Sequence, residues 1–225
     1  MEDGPSQKIR RICVYCGSSS GSNPAYAEAA ADLGREIAAR GFDLVYGSGS
    51  IGLMGIVART VHENGRNVLG VIPHALVPKE ISGPSVGEVR LVRNMHERKA
   101  EMAKAADAFV ALPGGYGTLE ELLEMITWSQ LGIHDKPIAV LNANGYFDSL
   151  LAFFDRATQD GFVNATNRSI VMAGSTAKEV LDAVERFDAD SRGALLEKER
   201  WSGEVGGVGR DGVSKEEMVK AVVEP

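Results

Sequence analysis

Leu112-Pro113-Gly114-Gly115-Tyr116-Gly117-Thr118-Leu119-Glu120-Glu121 is the stretch on which the fold turns. Ahead of it, Ala108-Phe109-Val110-Ala111-Leu112 is a continuous apolar run, the pattern of a strand in a sheet covered on both faces. Behind it the residues predict a helix starting near Thr118. Strand, glycine turn and helix in that order make the repeating unit of an α/β fold. Glycines allow backbone N–H groups to approach a ligand closely, and a helix N-terminus adds unpaired donors and positive potential. The turn therefore reads as an anion site, best suited to phosphate. Thr118 is a good N-cap, and Glu121 completes the T-x-x-E pattern of a capping box.

Glu121 has two readings, a capping carboxylate or a carboxylate that does chemistry. At about 100° per residue, Leu119, Leu122, Leu123 and Ile126 share one helix face, while Glu121, Met125 and Trp128 share nearly the opposite one. Met and Trp opposite the expected core face suggest a helix covered twice, by its own sheet and by a second subunit or lid. Glu121 would then edge a partly dry crevice.

Outward from this centre, strand and helix patterns alternate. Residues 9–16 read as the first strand, followed by Gly17-Ser18-Ser19-Ser20-Gly21-Ser22-Asn23-Pro24 and a helix to about Arg40. The hydroxyl-rich turn is either a second phosphate cradle or an ordinary capped loop. Gly41 stops the helix, and Phe42–Tyr46 is the second strand. It runs into Gly47-Ser48-Gly49-Ser50-Ile51-Gly52, which matches G-x-G-x-x-G. The next strand, Asn67–Ile72, ends in Pro73-His74 and lacks the acidic residue that would hold an adenosine ribose. These glycines thus indicate close approach to a mononucleotide or to neighbouring loops, not a dinucleotide site. Residues 75–87 read as a loop. Glu88–Arg93 alternates as a short strand, and a helix follows over about Asn94–Ala106.

In that helix Met95, Met102 and Ala106 mark the apolar centre, with Glu97, Glu101 and Lys104 facing away. Arg98 and Lys99 flank the centre, where cations are expensive to bury without an anion. Either they snorkel at the helix edge or a ligand phosphate supplies the anion. Further on, Lys136–Asn142 is a strand, Asn144-Gly145 a turn, Phe147–Asp160 a helix with Leu150, Leu151 and Phe154 inward, and Thr176–Phe187 a helix after a short segment near Val171-Met172. This alternation predicts a doubly wound, mainly parallel Rossmann-like sheet with right-handed crossovers, whose turns after residues 16, 46 and 112 open on one edge. Three segments are expected: a flexible N-terminus over 1–8, a nucleotide-binding domain over 9–187, and a flexible Gly- and charge-rich tail over 188–225.

A chain of 225 residues with 44% hydrophobic content can bury one sizeable core. With 24 basic and 31 acidic residues, its net charge of −7 argues against a nucleic-acid surface. No apolar run spans a bilayer and the N-terminus has no leader pattern, so a soluble cytoplasmic protein is expected, with the nucleus as a second location open to it. Cys13 and Cys16 form a C-x-x-C without the second pair that zinc needs, and a strand points them to opposite faces, so both are expected to be buried, reduced thiols. His62, His74, His96 and His134 have no ligand spacing, and no metal site is indicated.

The motif P-G-G-Y-G-T-L-E-E, preceded by Met95-His96-Glu97-Arg98-Lys99-Ala100, resembles the LONELY GUY family of cytokinin riboside 5'-monophosphate phosphoribohydrolases, whose members long carried the label lysine decarboxylase. The resemblance runs from about Ile9 to about Phe187. It implies hydrolysis of an N6-substituted adenosine 5'-monophosphate to free base and ribose 5-phosphate, without a cofactor, at a site near a homodimer interface. It implies Arg98 and Glu121 as catalytic residues. It implies substrate contacts from Glu80, Arg98, Lys99, Gly114, Gly115, Tyr116, Gly117, Thr118, Leu119, Glu120 and Thr127, and Ser18 lies where it could join them. Two other classes remain: a decarboxylase, which would need a Schiff-base lysine for pyridoxal phosphate, and a non-catalytic nucleotide carrier or sensor.

Overall fold

The computed structural model describes residues 9–77 and 86–187. Strands β1 (Arg11–Tyr15), β2 (Asp43–Tyr46), β3 (Val68–Pro73), β4 (Glu88–Val92), β5 (Ala108–Ala111), β6 (Ile138–Leu141) and β7 (Val171–Gly174) form one sheet in the order β4-β3-β2-β1-β5-β6-β7. Every pairing is parallel. The helices between them are α1 (Pro24–Ala39), α2 (Gly52–Glu63), α3 (Met95–Ala105), α4 (Tyr116–Gln130), α5 (Asp148–Gln159), α6 (Ala165–Arg168) and α7 (Ala177–Glu185). Strand order reverses at β1, which lies between β2 and β5, with Val14 opposite Tyr46 and Tyr15 opposite Ala111. A parallel sheet collects its ligand at the carboxyl ends of such neighbours. The expected doubly wound α/β architecture, and the common edge for the turns after residues 16, 46 and 112, are both present.

The strand sequences are apolar throughout because both faces are covered. On one face Ile12, Val14, Leu44 and Tyr46 pack with Leu33 and Ile37 of α1, Val57 of α2 and Leu181 of α7. On the other, Tyr15, Val45 and Phe109 pack with Met102 of α3, Leu122 and Met125 of α4 and Phe147. The two-residue period of β1 sends Cys16 into the first cluster and Cys13 into the second. Both are free thiols, and burial pushes both up from the ordinary cysteine range. Most element boundaries fall within one or two residues of the sequence reading. The segments 1–8 and 188–225 lie outside the described residues.

α1 and α7 are tied by Arg40, which ends α1. Its Nη2 donates to Glu36 Oε1 at 2.6 Å and Asp182 Oδ1 at 2.7 Å, and its Nη1 reaches Glu185. Lys178, and then Arg40, hold the Asp182 carboxyl below the usual aspartate range. A depressed folded pKa contributes stability above the unfolded value and loses it as pH falls through the folded one. Arg40→Met is therefore expected to lower Tm by a few degrees at pH 7, about one helix–helix ion pair's worth. The difference from wild type should shrink below pH ~3.9, the ordinary aspartate pKa, and calorimetry across pH 3–7 reads it directly.

Candidate active site

The turn after β5 is held against the turn after β1. Gly17 N–H donates to Pro113 O at 3.0 Å. A Cβ on Gly114 would stand 2.1 Å from Thr118 Oγ1 and 2.8 Å from Gly17 N. Gly52, at φ +60, closes from the other side, where a Cβ would meet the Ser18 carbonyl at 2.3 Å. Gly52 of the G-x-G-x-x-G match therefore serves close approach to a neighbouring loop, one of the two uses the sequence left open, while Gly47 and Gly49 make room for the side chains of Arg98 and Met54. Tyr146 Oη donates to the Gly114 carbonyl and braces the corner from the β6–α5 connection. In front of the corner a Cβ at Gly115 or Gly117 would meet nothing within 4 Å. The backbone is packed behind and open ahead.

α4 starts earlier than the sequence suggested. Gly115 is its N-cap, without a side-chain cap bond, and Leu119 N–H already donates to Gly115 O at 3.1 Å. Thr118 is thus a buried first-turn residue and not the cap, so the T-x-x-E capping box is corrected. The first-turn N–H groups of Gly115, Tyr116, Gly117 and Thr118 emerge at the open side of the corner, with the positive end of the helix behind them. Glu121, in the second turn of the helix, therefore has no capping role.

The phasing of α4 is corrected too. Its buried stripe is Thr118, Glu121, Leu122, Met125 and Ser129, whereas Leu123 is 40% exposed and Leu119 and Ile126 are half-buried. Wedging of Gly114 and Thr118 against the β1 turn fixes the first helical turn and rotates Glu121 and Met125 inward. Trp128 is half-buried at the rim of the sheet-side cluster. Leu119 and Ile126 pack against the same sheet-side cluster as Trp128, so the face turned from the sheet is marked by the exposed Leu123 and not by Glu121, Met125 and Trp128.

Glu121 is 8% exposed and Arg98 of α3 is 4% exposed. Both act on the buried Cys13 thiol of β1: after burial and its hydrogen bond with Tyr15, the Glu121 charge raises that group and the Arg98 charge lowers it. Arg98 Nη2 donates to Gly47 O at 2.9 Å, which connects it to the turn after β2. Met95, expected at the apolar centre of α3, is 38% exposed, while Arg98, Lys99, Met102 and Ala103 are buried. Arg98 and Lys99 thus do not snorkel.

Lys99 finds its anions within the protein. Its Nζ pairs with Glu120 Oε1 and, at 3.0 Å, with Glu124 Oε2. Burial opposes its charge, but these two carboxylates outweigh that and hold its pKa above the ordinary lysine value. The ammonium expected near a ligand phosphate instead clamps α3 to α4. The clamp's sequence neighbours are Arg98 and Glu121, so it fixes the register in which they are presented. Glu124 was invisible as a site residue from sequence; its spacing of one helical turn from Glu120 is the signal that could have found it.

Of the other candidates, Ser18, Tyr116 and Gly117 are exposed at the corner, Tyr116 at 94%. Thr127 is exposed on the face of α4 turned from the sheet, its hydroxyl donating to Leu123 O at 2.8 Å. It lies about 13 Å along the helix from Thr118 at 1.5 Å per residue, and this chain alone does not bring it to the corner. Glu80 lies outside the described residues. Among the described residues no cluster of His, Cys, Asp and Glu could hold a metal ion, and no helix is long and apolar enough to cross a membrane.

Three comparisons bear on this arrangement. A family model described as possible lysine decarboxylase matches residues 54–184. A cytokinin riboside 5'-monophosphate phosphoribohydrolase of Arabidopsis thaliana is 58% identical over 186 residues, covering 83% of this chain and 86% of the relative. A probable enzyme of the same name from Oryza sativa subsp. japonica is 58% identical over 183 residues, covering 81% and 82%. Among solved structures, the molybdenum cofactor carrier protein of Chlamydomonas reinhardtii superposes with a TM-score of 0.59 at 20% identity, over 80% of this chain and 98% of that one. At that identity the likeness concerns the Rossmann-like fold alone. By the identity and coverage of its plant relatives, the chain belongs to the cytokinin riboside 5'-monophosphate phosphoribohydrolase family.

Proposed function

We propose that the protein hydrolyses the N-glycosidic bond of N6-substituted adenosine 5'-monophosphates, releasing the free cytokinin base and ribose 5-phosphate. The observation that supports this reading is a buried carboxylate, Glu121, in the second turn after a glycine N-cap that has no side-chain bond, together with a buried guanidinium, Arg98, on the preceding helix, both charges acting on the buried Cys13 thiol. The N–H groups of residues 115–118 receive the 5'-phosphate, with Gly114 shaping the turn and Ser18 at its rim. Glu121 faces the ribose. As the C1'–N9 bond breaks, its electron pair leaves with the base, which takes up a proton, and positive charge grows on the sugar. The Glu121 carboxylate stabilises that charge and accepts a proton from the water that bonds to C1'. Arg98, a donor-only guanidinium, acts as an electrostatic anchor. Lys99, Glu120 and Glu124 hold the two helices in place.

A homodimer fits the outer face of α4 and the turn after it, where Leu123, Leu131 and Ile133 are 40%, 65% and 62% exposed. Thr127 on that face would serve a site shared with a second copy. Two free cysteines suit a reducing compartment such as the cytoplasm or nucleus.

The described lysines do not fit a Schiff-base role. Lys99 is ion-paired, and Lys136, with its pKa lowered by burial, donates to Ala103 O at 2.7 Å and Ala106 O at 2.6 Å as the cap of α3. Lys104 is exposed, and Lys178 is an exposed partner of Asp182. Incubation with N6-isopentenyladenosine 5'-monophosphate and with AMP, followed by chromatography, is expected to show free base and ribose 5-phosphate. Saturable binding with no base released would assign the protein to the carrier class instead.

A further inference from the structure

A disfavoured backbone conformation lies directly behind Arg98. Ser48 is 1% exposed and holds φ +65, one of two non-glycine residues at positive φ among the described residues. The other, Asn144 at φ +52, is of a type that visits this region readily. The φ of Ser48 orients the peptide plane that carries the Gly47 carbonyl, and that carbonyl accepts from Arg98 Nη2 at 2.9 Å. The fit is tight, since a Cβ on Gly47 would lie 2.0 Å from the same nitrogen. Behind Ser48 stands Gly70 of β3, paired with Tyr46. A Cβ on Gly70 would lie 2.6 Å from Ser48 Oγ, 2.7 Å from its Cβ and 3.1 Å from its Cα. β3 is buried along its whole length and flanked by strands on both sides, so it cannot retreat. A glycine inside such a strand weakens the sheet, and here it makes the space that Ser48 occupies.

We propose that Gly70 and Ser48 are positioning residues for Arg98: Gly70 admits Ser48, Ser48 turns the Gly47 carbonyl, and that carbonyl fixes the guanidinium at the site. The inference rests on the role given to Arg98 in the proposed function, and its structural half stands independently of that role. Gly70→Ala pushes Ser48, so a crystal structure of this variant is expected to show Arg98 Nη2 beyond hydrogen-bond range of Gly47 O. Its kcat is expected to fall on the order of 100-fold, the scale of a 1 Å misplacement. In an Arg98→Ala background the same change should cost less than about threefold, because the residue it acts through is gone. Adding Ser48→Gly to Gly70→Ala removes the colliding side chain and should recover at least about tenfold of the loss. If Gly70→Ala does not fold, Ser48→Thr, a β-branched residue at positive φ, takes its place in the same structure and cycle.

An Arg98–Gly47 contact unchanged in the variant, or an equal loss with and without Arg98, overturns the inference. Absence of base release by the wild type would instead defeat the proposed function, and the crystallographic comparison would still decide the positioning.

Discussion

Glu121→Gln is expected to fold, to bind nucleotide and to lose base release by about a thousandfold, the middle of the range for removal of a general acid–base group. The side chain keeps its size, so the buried stripe of α4 stays filled and Tm should change by no more than a few degrees. What disappears is the negative charge that, in the proposed function, stabilises the oxocarbenium-like sugar and accepts the proton of water. Since Gly115 caps the helix without a side-chain bond and Thr118 is buried inside the first turn, a capping role cannot explain such a loss. Steady-state base release, compared with nucleotide affinity by calorimetry, separates the terms. Turnover within tenfold of wild type would reduce Glu121 to a packing residue.

Arg98→Lys is expected to lower kcat/KM by about 10²–10³-fold, roughly what one preorganised electrostatic donor contributes. The substitution keeps the charge. It loses the planar fork that lets one nitrogen hold the Gly47 carbonyl and, in the proposed function, leaves others to address the substrate. Arg98 is only 4% exposed, so an ammonium in its place has no water to satisfy the donors it cannot direct. Steady-state kinetics on N6-isopentenyladenosine 5'-monophosphate provide the check. Activity within tenfold of wild type would mean that charge alone suffices and the geometry imposed from Gly47 has no role.

The order of strands and helices was legible in the sequence because each element carries its own period. Runs such as Ala108–Leu112 state that a strand is buried on both faces, and β1 alone dictates that Cys13 and Cys16 part company. The start and rotation of α4 were not legible. They depend on Gly114 meeting Gly17 across the switch point, nearly a hundred residues away in sequence, and local signals favoured Thr118 as the cap. The anion for Lys99 was misread for a related reason: periodicity places a cation at a helix edge and does not say which neighbouring helix brings Glu120 and Glu124 to it. Ser48 was readable only as part of a glycine motif, since its meaning lies in the space left by Gly70 on another strand. Arg98 and Glu121 were candidates by resemblance, and the helices that carry them, α3 and α4, pack on the same face of the sheet.

The most direct test of the whole account is a crystal structure of Glu121→Gln with an intact N6-substituted adenosine 5'-monophosphate. The account predicts the 5'-phosphate on the backbone N–H groups of residues 115–118, with the substituted side chain at position 121 turned toward C1' of the ribose and Arg98 beside it. A phosphate bound elsewhere, with the sugar out of reach of position 121, would contradict it.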